Sequence, residues 1–177
     1  MNYVYIATSL DGYIAKPDGD INWLHEHPNP NNDDYGYADF INNIDALVMG
    51  RNTYEKVRTF GDWPYEKKVI VLTHTLKDVP EELIGKIEFF SGTIREVTEY
   101  CHISGFNNLY IDGGRVIQSF LEEDLIDELI LTRLPILLGK GIALFSSMDS
   151  PLKFKHQATK VYDNALVKSH YIRVSDI

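Results

Sequence analysis

Short runs of apolar residues alternate with stretches of helical periodicity along almost the whole chain. Residues 3–9, 46–49, 68–73, 87–90, 109–111 and 126–133 are rich in apolar, β-favouring residues, and they read as strands. Between them apolar residues recur three and four apart. Tyr37, Phe40, Ile41 and Ile44 share one face of a helix over 33–44, with an Asn/Asp cap. A second helix starts at Arg51 and a third covers 93–103. Val116, Ile117, Phe120 and Leu121 mark a fourth. Asp11-Gly12 is a turn signal, followed by a short extended piece at 13–15. Residues 16–32 form a long polar loop that carries Trp23 and Leu24, an apolar pair suited to folding over something. At the far end, 152–161 and 166–174 alternate in the strand manner around Asp163-Asn164, a hairpin turn.

About eight strands and four helices in βα alternation predict a single α/β domain. The central sheet would be mostly parallel, with helices on both faces and an antiparallel hairpin at the C-terminal end. In such sheets ligands bind at the carboxyl ends of the strands. Four of those ends carry candidate ligand groups: Gly50-Arg51, Thr73-His74, Ser91-Gly92 and Gly113-Gly114. The last is the organising feature. Leu109 to Ile111 form a strand, Asp112-Gly113-Gly114 breaks it, and a helix follows at once. That order puts unpaired backbone N–H groups and the positive end of a helix dipole at one point, where a phosphate can sit. The two glycines let the backbone approach a ligand closely. Small and cationic residues along one edge suit a long phosphate-bearing ligand, and a dinucleotide is the natural choice.

Composition narrows the partners. The 177 residues are 44% hydrophobic and 24% charged, as in ordinary globular proteins. A net charge of −9 argues against nucleic acid or an anionic membrane surface. No apolar stretch approaches the length of a membrane span and no leader pattern opens the chain, so a cytoplasmic protein is expected. Cys101 is the single cysteine and sits on a helix beside Tyr100 and Ile103, a packing position. His25 and His27 lack a third ligand nearby, so no metal is expected.

Five motifs in order resemble the dihydrofolate reductase superfamily: Ser9-Leu-Asp-Gly-Tyr-Ile-Ala15, Met49-Gly-Arg-Asn-Thr-Tyr54, Ile111-Asp-Gly-Gly114, Leu125-Ile-Asp-Glu-Leu129 and Pro135-Ile-Leu-Leu-Gly139. They are most similar to the branch that contains the reductase domain of bacterial riboflavin biosynthesis. The resemblance implies a dihydrofolate-reductase-like fold, bound NADPH and a small heterocyclic substrate. It implies that Gly50, Arg51 and Thr53 hold cofactor phosphates, Arg51 being a fixed-charge fork suited to a 2′-phosphate. By the same resemblance Thr73 and His74 lie near the adenosine ribose, with Gly92 at the adjoining strand end. Gly113, Gly114, Arg115, Val116 and Ile117 would form the pyrophosphate turn. Ala7, Ile14 and Trp23 would surround the nicotinamide.

Two departures from that branch bear on the substrate. Its helix before the second parallel strand carries an arginine for the substrate's ribose phosphate, whereas residues 37–44 here contain no Arg or Lys. Ile21 also replaces a small polar residue of the Ser-x-Trp loop motif. Asp112 is the candidate facing the substrate. Asp34 matches the carboxylate that holds the pterin in dihydrofolate reductases proper, and with Asp33 it also reads as a helix cap. Asp34, Asp112 or water would supply the proton. Reduction of dihydrofolate and NADPH binding without turnover stay open beside the riboflavin-type reduction. Relatives pair through strands near the C-terminal end, and the apolar run 130–138 fits a homodimer.

Overall fold

The computed structural model describes residues 1–174. Its strands are β1 (Asn2–Thr8), β2 (Tyr13–Ala15), β3 (Ala46–Gly50), β4 (Lys68–Leu72), β5 (Ile87–Phe90), β6 (Leu109–Asp112), β7 (Glu128–Arg133), β8 (Ile142–Ala143), β9 (Phe154–Val161) and β10 (Val167–Arg173). The helices are α1 (Asn22–His25), α2 (Tyr37–Asn42), α3 (Arg51–Arg58), α4 (Ile94–Ile103) and α5 (Gly114–Glu122). Eight strands form one sheet in the order β5-β4-β3-β6-β1-β7-β10-β9. Its first six strands run parallel, and β10 and β9 close it as an antiparallel pair. The sheet has the size and direction that the sequence pattern implies. The extended piece at 13–15 lies outside it, in a ribbon with β8.

Val/Ile/Leu-rich β3, β4 and β6 sit in the middle because only a strand covered on both faces can bury such runs. One face packs on α4 and α5 through Val97, Cys101, Val116, Ile117 and Phe120. The other packs on α2 and α3 through Phe40, Ile41 and Tyr54, with Ile44 just after α2. Cys101 is fully buried among apolar neighbours, and burial pushes its thiol up to about 11, so it packs as the sequence suggests.

Two stretches differ from the sequence reading. The polar loop 16–32 contains the single-turn helix α1, which buries Trp23 against Leu134, Tyr162 and Leu166. The helix expected over 33–44 begins only at Tyr37. Tyr35 and Gly36 have φ of 57° and 84°, which no helix accommodates. The aspartates that read as caps shape this turn, and Asp34 also reaches the first turn of α2. Asp33 accepts from Tyr35 N at 2.6 Å, and Asp34 accepts from Gly36 N and Ala38 N at 2.8 and 2.9 Å.

Candidate active site

The register aligns the carboxyl ends. Met49 lies beside Asp112, Gly50 beside Leu72, and Leu72 beside Phe90. Three helices therefore start along one edge: α3 after β3, α4 after β5, and α5 after β6. They differ in how their first turns are satisfied. The first N–H groups of any helix lack an acceptor inside it. At α4 a capping box supplies acceptors: Thr93 Oγ1 accepts from Glu96 N at 3.2 Å, and Glu96 Oε2 from Thr93 N at 2.7 Å. Neither α3 nor α5 has a side-chain cap, and their N-caps are Gly50 and Gly113. Two uncapped helix starts side by side on neighbouring strands form a cradle for anionic oxygens.

Glycine is required in that cradle. Gly113 has φ of 91°, and a Cβ there would stand 2.3 Å from Thr53 Oγ1. A Cβ on Gly114 would stand 2.8 Å from Ile14 Cδ1. The backbone of the α5 turn is thus pressed between Thr53 of α3 and Ile14 of β2. Thr53, Gly113, Gly114 and Ile14, far apart in sequence, meet here, and Gly50 joins them across from Val116. Val116 and Ile117 turn their side chains into the core, so only their backbone faces the turn. Arg115 is exposed.

Beyond Gly50, Arg51 Nε bonds Glu55 Oε1 at 2.7 Å and its Nη1 bonds Thr75 Oγ1 at 3.0 Å. The guanidinium is thereby held over the end of β4 beside Thr73, whose Oγ1 lies 3.4 Å from that of Thr75. His74 Nδ1 bonds Ser91 Oγ at 2.7 Å. Gly92 follows, close against the Phe90 ring. The expected residues Arg51, Thr73, His74 and Gly92 lie together at one end of the edge. Ser91, a candidate ligand group of the sequence, joins them through His74, and Thr75, without a role in the sequence reading, joins them through Arg51.

At the other end, β1 and β6 separate. They pair only at Asn2–Leu109 and Tyr3–Tyr110, although β1 runs six residues beside β7 and β6 runs four beside β3. Where they part, the Tyr110 hydroxyl donates to Tyr5 O at 2.9 Å, taking an acceptor that a straight ladder would have used. The ends of β1 and β6 are therefore unpaired with each other, and the gap between them is the candidate cleft. Ala7 lines the β1 side and packs toward Trp23. The indole N–H of Trp23 is buried without an acceptor among the described residues.

Asp112 stands on the β6 side. It keeps a narrow strip of solvent contact but is otherwise enclosed, and burial raises its carboxyl to about 6 despite a 2.8 Å bond from Gly113 N. Tyr37, Tyr65 and Tyr110 lie within its electrostatic reach. Their hydroxyls are raised first by burial and then by this carboxylate. Among the described residues no cation offsets the charge of Asp112. The tyrosine walls went unassigned in the sequence, because Tyr65 sits in an irregular segment without periodicity. Asp34 is different. It is exposed, both oxygens accept backbone N–H groups, and these bonds hold its carboxyl below the usual range. The condition for Asp34 to carry a proton, burial that raises its pKa, is not met. Asp11 is likewise a tie: it accepts from Ser9 Oγ, Leu138 N and Gly139 N. Among the described residues no group of three or more His, Cys, Asp or Glu could hold a metal ion.

The chain is 47% identical to a solved protein of Shewanella sp. PV-4 assigned provisionally to riboflavin biosynthesis, with a TM-score of 0.94 over 98% of this chain and 99% of that one. It is 37% identical to the uncharacterized protein YwjB of Bacillus subtilis across 96% of both chains. It also shares its fold, at 16% identity and a TM-score of 0.78, with a diaminohydroxyphosphoribosylaminopyrimidine deaminase/5-amino-6-(5-phosphoribosylamino)uracil reductase of Thermotoga maritima, 98% of this chain matching 56% of that one. The fold is the dihydrofolate-reductase-like one. The family model of the RibD C-terminal domain matches residues 3–168, and the chain belongs to that family.

Proposed function

We propose that this protein is an NADPH-dependent reductase of a small heterocyclic substrate. The observation that carries the reading is the pair of uncapped helix starts at Gly50 and Gly113, pressed together through Thr53. The pyrophosphate would lie on the α5 turn, accepting from the N–H groups of Gly114, Arg115 and Val116. Arg51, Thr73, Thr75, His74 and Ser91 would receive the adenosine end, with the Arg51 fork on the 2′-phosphate. Ala7, Ile14 and Trp23 would border the nicotinamide in the cleft between β1 and β6. Bound NADPH supplies the hydride.

The protein's own contribution is position and a proton. A heterocycle in the cleft would stack on tyrosine rings and present N–H donors to Asp112. With its carboxyl raised to about 6, Asp112 holds a proton in part of the population near neutral pH and is suited to pass it to the reduced atom. Asp34 is the weaker choice, since its oxygens serve the α2 turn. For the same reason dihydrofolate, whose recognition would call on Asp34, ranks below a riboflavin-type pyrimidine. The absence of Arg and Lys from α2 sets the phosphoribosylated pyrimidine itself in doubt. Pairing of two copies belongs to this reading too. It is supported by Ile136 and Leu137, which stand 37% and 70% exposed on the rim.

Calorimetry with NADPH and NADH, on wild type and Arg51→Ala, tests the proposal. We expect a preference for NADPH that falls by about 1–3 kcal/mol in the variant. Turnover of NADPH with the pyrimidine or dihydrofolate then separates an enzyme from a nucleotide-binding module. Binding of neither nucleotide would sink the reading.

A further inference from the structure

The hairpin of β9 and β10 and the helix α2 enclose a second cavity, of about 480 Å³, on the flank of α2 that faces away from β6. This volume lies within the range of small-molecule sites. Its floor is apolar and aromatic: Tyr3 and Tyr5 from β1, Phe40 from α2 and Ile130 from β7. The Tyr5 and Phe40 rings stack on each other at 4.6 Å between centroids, a fixed aromatic pair in the lining. The Tyr5–Phe40–Tyr37 aromatic group stands between this cavity and Asp112.

The cationic end of the cavity is unusual in a chain of charge −9. Lys160 and Lys168 both line it, and among the described residues neither forms an ion pair. Lys160 Nζ sits 4.4 Å from the centre of the Tyr162 ring, and Lys168 Nζ sits 5.8 Å from it. Lys168 is half-buried and donates to Tyr35 O. That carbonyl also accepts from Tyr5 Oη at 2.9 Å and Tyr162 Oη at 3.1 Å. Three donors on an oxygen with two lone pairs leave donor capacity over, and an ammonium carries three hydrogens. Asp34, within electrostatic reach of Lys168, has both oxygens engaged by backbone. Of the other charged groups facing the cavity, Glu128 is bonded by His170 at 2.6 Å, and Asp39 is an exposed acid on α2.

We infer that this cavity is a second ligand site, separate from the nucleotide cleft, for a small aromatic anion. Its ring packs against the Tyr5–Phe40 pair, and its carboxylate, sulfonate or phosphate oxygens meet Lys160 and Lys168. A ring without the anion would leave the two ammonium groups unpaired. An anion without the ring would leave the aromatic floor wet. The inference rests on the cavity and its lysines alone and holds whichever substrate the cleft takes.

The test is fluorescence titration with anilinonaphthalene sulfonate, an aromatic anion, beside uncharged phenylnaphthylamine. Wild type is compared with Lys160→Glu, a change at an exposed side chain that leaves the core untouched. We expect the sulfonate to bind wild type about tenfold more tightly than the variant. Phenylnaphthylamine should bind both alike, and saturating NADPH should not displace the sulfonate. Equal sulfonate binding to both proteins would overturn the inference, as would displacement by NADPH, which would put the probe in the cleft. Exclusion of the probe from a chain that sediments as a dimer, with binding restored on dilution to monomer, would also overturn it. In that case a second copy of the chain fills the cavity.

Discussion

Asp112 is held against its own preference. The surrounding rings and backbone cannot replace the water a carboxylate wants, so its charged form is penalised and its carboxyl rises to about 6 from an ordinary 3.8. A folded-state pKa above the unfolded one means that the folded chain binds the extra proton between these values. The associated stability is therefore complete below about pH 4, is lost as pH rises through about 6, and stays lost above. Asparagine keeps the acceptor for Gly113 N and carries no charge. Asp112→Asn should raise the unfolding free energy by about 1–3 kcal/mol at pH 7 and leave it nearly unchanged at pH 4, as read by urea denaturation of both proteins. The same change should depress turnover, because the proton-holding group is gone. A variant that is more stable yet equally active would remove Asp112 from the chemistry while leaving the cleft intact.

At the scale of elements, what matters is where β1 and β6 let go of each other. Their pairing ends after Tyr3 and Tyr110, and the Tyr110 hydroxyl caps the break by bonding Tyr5 O. Tyr110→Phe keeps the ring in the core and removes only that donor. It should cost about 1–3 kcal/mol in urea denaturation, the penalty for an unpaired buried carbonyl. No loss would mean that water already satisfies Tyr5 O through the cleft. The sequence foretold the elements unevenly, and the reasons are physical. Residues 46–49, 69–72 and 109–111 are β-branched or apolar without interruption, and strands buried on both faces have to read that way. The strand-ending glycines were legible for the same reason: Gly50 follows such a run directly, and Gly113 follows one after Asp112. The start of α2 was not legible, because Asp33 and Asp34 satisfy turn N–H groups as readily as helix N–H groups. Only the positive φ of Tyr35 and Gly36 decides between the two. Nor was the Tyr37, Tyr65 and Tyr110 wall legible around Asp112. Its members come from a helix, an irregular segment and a strand, and only tertiary packing brings them together.

For the whole molecule, the rim beside the cleft carries an apolar strip. Leu10, Ile136, Leu137, Ile142 and Phe145 are 52%, 37%, 70%, 39% and 47% exposed, and Leu10 N bonds Ile136 O at 2.8 Å to tie two of its segments together. Exposed apolar area of this kind marks association surfaces. Sedimentation should give twice the mass of one chain, and Leu137→Asp should return it to one; a wild type that sediments as a single chain would rule out pairing. The charge pattern supports the other half of the molecule. Residues 17–50 contain no Lys or Arg, whereas the β9–β10 hairpin contributes Lys155, Lys160, Lys168 and Arg173, and the two regions meet at Tyr35. The place of β1 in the sheet has a consequence for how the protein is made. It is synthesised well before the neighbours it pairs with, β6 and β7, with Asn2 beside Leu109 and Tyr3 beside Glu128. At ordinary translation rates it waits roughly 5–20 s before either partner exists. During that interval an apolar segment must be shielded by the exit tunnel's surroundings or by a chaperone, and nascent chains halted before β7 should be cleared rather than stored.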